Sequence, residues 1–233
     1  MNKMQKPIKL LKLSLLIAGF SLSVASAQAS IIFSAGVPTY SADGADLRAG
    51  FSEYQWMTGY DERQNVTITS SVAVDYLVGS NAFYGDQLAG VNDTAGNHEL
   101  LAPGTYSSHL LHFDPVGADG VIEGGVFQFD SDIVAIIAST GGSGNLLSLS
   151  DSAFGFSTTL YESYFSRRTE NDDFFTLMSP NEINIDYFAT AAGNIDNLRI
   201  ITAGAVPASQ PAILSLMLLT LSMGGFSRLR KTK

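Results

Sequence analysis

All 22 acidic residues of this 233-residue chain lie between Asp43 and Asp196, and both ends are basic. Lys3, Lys6, Lys9 and Lys12 open the chain, and Arg228, Arg230, Lys231 and Lys233 close it. Only Arg48, Arg63, Arg167, Arg168 and Arg199 remain for the middle, which carries a formal charge of −17 and no lysine. Because each basic end adjoins an uncharged apolar run, the part that must fold as a globular unit is confined to about residues 28–203. Its charge repels phosphate backbones, which excludes a nucleic-acid-binding role. The missing lysine excludes Schiff-base and P-loop chemistry. Cysteine is absent as well, so no disulfide, thiolate metal site or thiol nucleophile is available, and an apolar core must hold the fold.

The N-terminal end pairs its lysines with an apolar run from Leu13 to Val24, followed by Ala25-Ser26-Ala27. A basic region, an apolar stretch too short for ~30 Å of hydrocarbon and an Ala-x-Ala site predict a secretory signal peptide over 1–27. Ala25 and Ala27 are the residues a signal peptidase reads, and Gln28 begins the mature chain.

Residues 203–227 carry no charge, and Ala212 to Phe226 is almost wholly apolar. Fifteen helical residues span ~22 Å, and the uncharged residues upstream can supply the remainder of a membrane crossing. The sequence predicts a linker at 204–211, a single transmembrane helix at 212–227 and a basic cytoplasmic tail at 228–233, with the body outside. A buried C-terminal helix and a plain anchor without processing are the competing readings.

Val206-Pro207-Ala208-Ser209-Gln210-Pro211-Ala212, the apolar run and the basic Arg228, Arg230 and Lys231 together resemble a PEP-CTERM sorting signal. In that family a Pro-Glu-Pro motif precedes a short transmembrane helix and a basic tail. Here the glutamate is missing and three residues separate Pro207 from Pro211. The resemblance implies an exosortase-like processing enzyme acting at or near the prolines and transient residence in the inner membrane of a Gram-negative bacterium. Delivery to the cell surface or extracellular matrix would follow. A rival sorting system reads Gly-Gly ahead of the apolar run, whereas Gly224-Gly225 lies at its end.

Between these ends the chain alternates β-branched and aromatic runs with Gly-rich turns. Strands are predicted at 66–69, 72–78, 106–113, 126–129, 133–137, 174–178, 183–188 and 195–202. Phe127-Gln128-Phe129 and Ile183-Asn184-Ile185-Asp186 alternate as half-buried strands do. Loops are predicted at 114–120, 124–125, 141–145 and 191–194. Helix is confined to 147–154 or 45–56. This pattern predicts an all-β, antiparallel two-sheet sandwich of jelly-roll or lectin-like type. The segments from His109 to Gly117, Gly125 to Ile137, Leu149 to Gly155 and Ile195 to Thr202 also resemble bodies found with PEP-CTERM tails. That resemblance implies fold and secretion, and no reaction.

Residues able to do chemistry are few. His98, His109 and His112 fall close together, but His98-Glu99-Leu100-Leu101-Ala102 lacks the second histidine of a zinc motif. His109 and His112 point to opposite faces of a strand, because three is odd against a period of two. Asp114, Asp119, Asp130 and Asp132 in adjoining turns are oxygen ligands of the kind calcium takes, and calcium is the one cofactor the sequence suggests. Turn formation accounts for the same aspartates without an ion. Gly141-Gly142-Ser143-Gly144-Asn145 fails as a nucleophile elbow at its last residue. Phe51, Tyr54, Trp56 and Tyr60 are candidates for a sugar-stacking platform, and equally for core. Asn65-Val66-Thr67 and Asn92-Asp93-Thr94 match the glycosylation sequon, to which a bacterial sorting signal gives little weight.

The expectation is a secreted, non-catalytic surface or matrix protein that binds polysaccharide, with no catalytic residue assigned. The alternatives are a glycan hydrolase or lyase using a carboxylate pair, for which 22 acids select no pair, and a permanently anchored periplasmic protein.

Overall fold

The computed structural model describes residues 30–34, 37–48, 57–79, 85, 87–89, 98–114, 122–138, 146–162, 173–189 and 195–204. The segments 1–27 and 206–233, which carry the predicted signal peptide, sorting motif, membrane helix and basic tail, lie outside the described residues. Among the described residues no helix is long and apolar enough to cross a membrane.

Described strands and one helix follow in the order β1 (Ile31–Ser34), β2 (Thr39–Ser41), β3 (Asp46–Leu47), β4 (Thr58–Asp61), β5 (Val66–Ile68), β6 (Val72–Val74), β7 (Tyr76–Leu77) and β8 (Gln87–Ala89). Next come β9 (Glu99–Leu101), β10 (Gly104–Phe113), β11 (Ile122–Phe129), β12 (Ile133–Ile137) and α1 (Leu146–Phe154). The series ends with β13 (Leu160–Tyr161), β14 (Phe174–Ser179), β15 (Glu182–Ala189) and β16 (Asp196–Ala203). The fold is all-β in class. One sheet runs β1-β11-β15-β14-β8 and a larger one runs β2-β4-β10-β16-β12-β7, with β5 also on β10. Two small pairs, β13-β3 and β6-β9, complete it.

The large sheet is the middle layer. From its strands, Leu111, Phe113, Ile136, Leu198 and Ile200 meet Phe127, Phe129, Phe175, Leu177, Ile183 and Ile185 of the five-stranded sheet in one core. From its opposite face, Leu110, Ala135, Ile137 and Ile201 meet Leu146, Leu147 and Phe154 of α1, with Leu47, Val74 and Leu101 of the small pairs. A strand covered on both sides gains from apolar residues at every position. That is why β16 is buried from Asp196 to Thr202 and β10 from Ser107 to Phe113. The five-stranded sheet behaves differently: Ile183 and Ile185 are buried while Glu182 and Asn184, which alternate with them, are half-exposed.

Departures from the sequence reading have local causes. The single strand expected over 72–78 is broken at Asp75, whose Oδ2 accepts the Ala138 N–H (2.7 Å) while its own N–H donates to Ile136 O (3.1 Å). That hydrogen bonding commits β6 to β9 and β7 to β12. The all-antiparallel expectation also fails twice, since β2 runs parallel to β4 and β3 parallel to β13. The helix considered at 45–56 is absent from its described part, because Asp46–Leu47 pairs with Leu160–Tyr161 instead. The other helix, expected at 147–154, is α1.

β4 carries no apolar alternation because close approach shapes it. A Cβ at Gly59 would sit 2.9 Å from Ile31 Cδ1 and 3.1 Å from Phe127 Cε1. Gly59→Val is therefore expected to lower unfolding free energy by about 1–3 kcal/mol through overpacking, read as a lower urea midpoint at unchanged slope. A midpoint equal to that of the parent chain would mean that β1 and β11 do not close on this glycine.

Candidate functional site

Glu62 follows β4 directly, and its carboxylate is buried beneath the β10 and β16 strands. Arg199, at the middle of β16, meets it fork to fork: Nε donates to Oε2 and Nη2 to Oε1, each at 2.7 Å. Arg199 Nη1 donates to Leu147 O (2.9 Å) and to the Ser150 hydroxyl, and Nη2 donates also to Asp151 Oδ1 (2.7 Å). All five guanidinium donors are thereby engaged. Glu62 accepts further bonds from Ser108 Oγ and Tyr161 Oη, both at 2.6 Å. The pair welds α1 to the large sheet at a place where neither ion meets water.

Burial pushes the Glu62 carboxyl upward, but the Arg199 charge and the bonds from Arg199, Ser108 and Tyr161 outweigh it and hold it below its usual value of 4.5. Burial likewise opposes the charge on Arg199, yet the carboxylates of Glu62 and Asp151 keep it firmly cationic. Burial and the adjacent Glu62 charge raise the Tyr161 phenol, so Tyr161 remains a donor. A depressed carboxyl contributes stability that is fully present above its unfolded pKa and is lost as pH falls through the folded one. Melting temperature is therefore expected to fall below about pH 4.5, and Glu62→Gln should flatten that fall while lowering stability at pH 7. An acid limb equally steep in Glu62→Gln would place the acid-labile group elsewhere.

The two described strand histidines point to opposite sides of β10, as their spacing requires. His109 packs on the Phe129 ring (centroids 4.7 Å apart), and His112 meets the Tyr60 ring edge-on at 6.0 Å. His112 Nδ1 donates to Asn197 Oδ1 (2.8 Å). His109 Nδ1 donates to Asp61 Oδ1 (2.7 Å), and its Nε2 lies 3.2 Å from Thr202 Oγ1. Asp61, His109 and Thr202 thus line up as the groups of a hydrolase triad do. Thr202 is fully buried, so its hydroxyl meets no substrate carbonyl, and the arrangement serves as a tie between β4, β10 and β16.

Above these buried groups opens a cleft of about 620 Å³, with Ser41, Asp43, Asp61, Gln64, Thr67 and Phe156 among its walls. Asp61 accepts the Ile31 N–H (3.1 Å) and the His109 proton on the same oxygen, Oδ1. Its Oδ2 has no bond among the described residues, and the Asp61 side chain is 29% exposed. Asp43 is exposed, and its Oδ1 takes the Thr158 hydroxyl at 2.5 Å. Gln64 Nε2 donates to Glu62 O (2.9 Å) and Ser108 O (3.0 Å), and Oε1 is buried with no donor among the described residues.

The three described aspartates predicted for calcium, Asp114, Asp130 and Asp132, are not gathered in one place. Asp130 and Asp132 are exposed in the turn joining β11 to β12, while Asp114 is buried beyond the end of β10. Phe113 pairs with Asp196 and Ile133 with Thr202, so the two places lie six positions apart along β16, on the order of 20 Å. Asp119 lies outside the described residues. Asp130 and Asp132 alone fall short of the six to eight oxygens calcium takes, and no group of three or more metal-ligating side chains occurs among the described residues. The 98–102 segment is not helical: Glu99 opens β9 and accepts the Leu77 N–H. Of the proposed aromatic platform, Tyr60 is core, while Phe51, Tyr54 and Trp56 lie outside the described residues, as does the 141–145 loop.

Sequence reasoning passed over Glu62, Asp61, Gln64 and Arg199. Arg199 did carry a signal, since an arginine inside the run Leu198-Arg199-Ile200-Ile201 must find a buried carboxylate if the strand is core. No family model, curated protein or solved structure matches this chain.

Proposed function

We propose that the chain is a secreted, non-catalytic protein of the bacterial surface or extracellular matrix, sorted by a PEP-CTERM-type tail, with a jelly-roll body that binds polysaccharide. A signal peptide at 1–27 exports it, the helix at 212–227 holds it in the inner membrane, and an exosortase-like enzyme releases it near Pro207 to Pro211. Calcium, if part of this reading, takes Asp114 or the Asp130 and Asp132 pair and not both, since these lie at two ends of β16.

The jelly-roll reading is supported by the strand order. β10-β16-β12 in one sheet faces β11-β15-β14 in the other, and the chain changes sheet at β10 to β11, β11 to β12 and β15 to β16. Two hairpin-like ribbons wound together leave that order. The observation that carries the non-catalytic reading is the commitment of Glu62, Arg199, His109 and His112 to bonds inside the protein, at fully buried positions. Groups so held and so covered support a scaffold better than they support proton transfer to a substrate.

Intact mass of the protein recovered from its native host tests the sorting. A species lacking residues 1–27 and everything beyond about Pro207 to Pro211 is expected in the medium or surface polymer. Protein confined to the inner membrane and retaining Arg228 to Lys233 would replace release with permanent anchoring. Turnover of a neutral exopolysaccharide by the purified protein would replace the scaffold with an enzyme.

A further inference from the structure

We infer that the cleft between the β4–β5 segment and Phe156 is the carbohydrate site, and that its ligand is a neutral, hydroxyl-rich glycan segment. The inference rests on the polysaccharide reading above and adds the place and the chemistry. Its volume, about 620 Å³, lies within the range of small-ligand sites.

The walls suit polyol hydroxyls, each of which both donates and accepts. Asp61 is the anchor. Its inner oxygen is fixed by the His109 ring and the Ile31 N–H, so the outer Oδ2 is presented at a set orientation and costs little ordering when a ligand arrives. Asp43, steadied by Thr158, supplies a second acceptor on the same cleft. Gln64 stiffens the wall between them, its Nε2 donating to Glu62 O and Ser108 O. The half-buried Phe156 ring offers the apolar surface on which the C–H face of a sugar ring lies.

Charge narrows the ligand further. Among the described residues Arg63 is the one cation on the cleft wall, and its Nη1 is turned to Ala153 O (3.2 Å). Two open carboxylates on a body of formal charge −17 repel uronate and sulfated polymers, which leaves uncharged chains as the matching class.

Isothermal titration of the purified protein with cellohexaose, mannohexaose and isomaltohexaose, and with alginate hexasaccharide, tests this. At least one neutral hexasaccharide should bind, and alginate should not. Asp61→Asn should weaken that binding about 10-fold or more, as loss of a charged hydrogen bond does. Phe156→Leu keeps apolar bulk but removes the ring, and should weaken it about 2- to 10-fold. Met178→Gln, on the exposed face of β14, a strand that contributes nothing to the cleft wall, should leave affinity unchanged, and melting curves confirm that each variant is folded. Neutral binding that survives both cleft variants would move the site elsewhere while leaving the polysaccharide reading intact. Binding of none of the neutral probes would overturn the site and the polysaccharide reading together, and the intact-mass result would still judge sorting. Tighter binding of alginate would overturn the ligand chemistry.

Discussion

Arg199→Met is expected to lower the unfolding free energy by about 3–5 kcal/mol, the cost of leaving one member of a buried ion pair alone. Glu62 would keep its bonds from Ser108 and Tyr161 but lose both guanidinium contacts, at a place where water does not reach it. Leu147 O and the Ser150 hydroxyl would lose Arg199 as well, keeping the bond from Ser150 Oγ to Leu147 O, which loosens the hold of α1 on the sheet. Asp151 should suffer least, because its side chain is 22% exposed and can turn to water. Arg199→Lys should also destabilise, since one ammonium with three donors cannot reproduce the five-donor fork. Combining Arg199→Met with Glu62→Leu should recover a large part of the loss, because the stranded charge is then gone. Urea unfolding of the two single variants and the double variant gives the coupling directly. A loss under 1 kcal/mol for Arg199→Met would mean that Glu62 finds water in the native state, which contradicts its burial.

The second large effect belongs to Phe129→Ala, expected to cost about 3–5 kcal/mol. Phe129 closes β11 and is fully buried between the two main sheets. Its backbone is held independently of its ring: the N–H donates to Asn181 O (2.8 Å), and the carbonyl accepts from Asn181 Nδ2 (2.7 Å). Alanine keeps both of those bonds, so the variant reports the ring alone. The ring also lies against the His109 imidazole, and its removal would expose the His109–Asp61 bond to any water entering the cavity. Phe129→Leu fills more of that space and should cost clearly less than alanine. Equal losses for alanine and leucine would show that shape against His109 matters more than volume. Near-parent stability for the alanine variant would mean that the sheets do not share this core.

Much of the fold was legible because burial on one or two faces writes a pattern into a strand. Residues 133–137 and 183–188 read as strands from their branched and aromatic composition, and the structure has β12 and β15 there. The α1 helix was visible as well, as a short run between Gly-rich loops. Thr58–Asp61, Thr39–Ser41 and Leu160–Tyr161 were not legible, since their pairing depends on partners more than a dozen residues away and not on their own composition. Asp75 reads as one position in a strand over 72–78, but its carboxylate captures the Ala138 N–H just beyond β12 and divides that run into β6 and β7.

The candidate site was less legible than the fold. The spacing of His109 and His112 did predict opposite faces, because that follows from backbone geometry alone. Among the aspartates predicted for calcium, Asp114 is close in sequence to Asp130 and Asp132 but far from them along β16. Arg199 and Glu62 stand 137 positions apart, and nothing local selects Glu62 from among 22 acids. Asp61 was equally anonymous, although it touches His109 and opens onto the cleft.

By itself the sequence determined the β class, the division of charge between body and ends, and the absence of thiols from the chain and of lysine from its body. Those properties are set by composition and by a two-residue period, and every chain carries them before it folds. Only the tertiary structure decided which carboxylate pairs with Arg199, which aspartate lines the cleft and which hydroxyl is sealed from it. Those outcomes depend on long-range register, and a shift of one residue in a strand would exchange the buried and exposed sets.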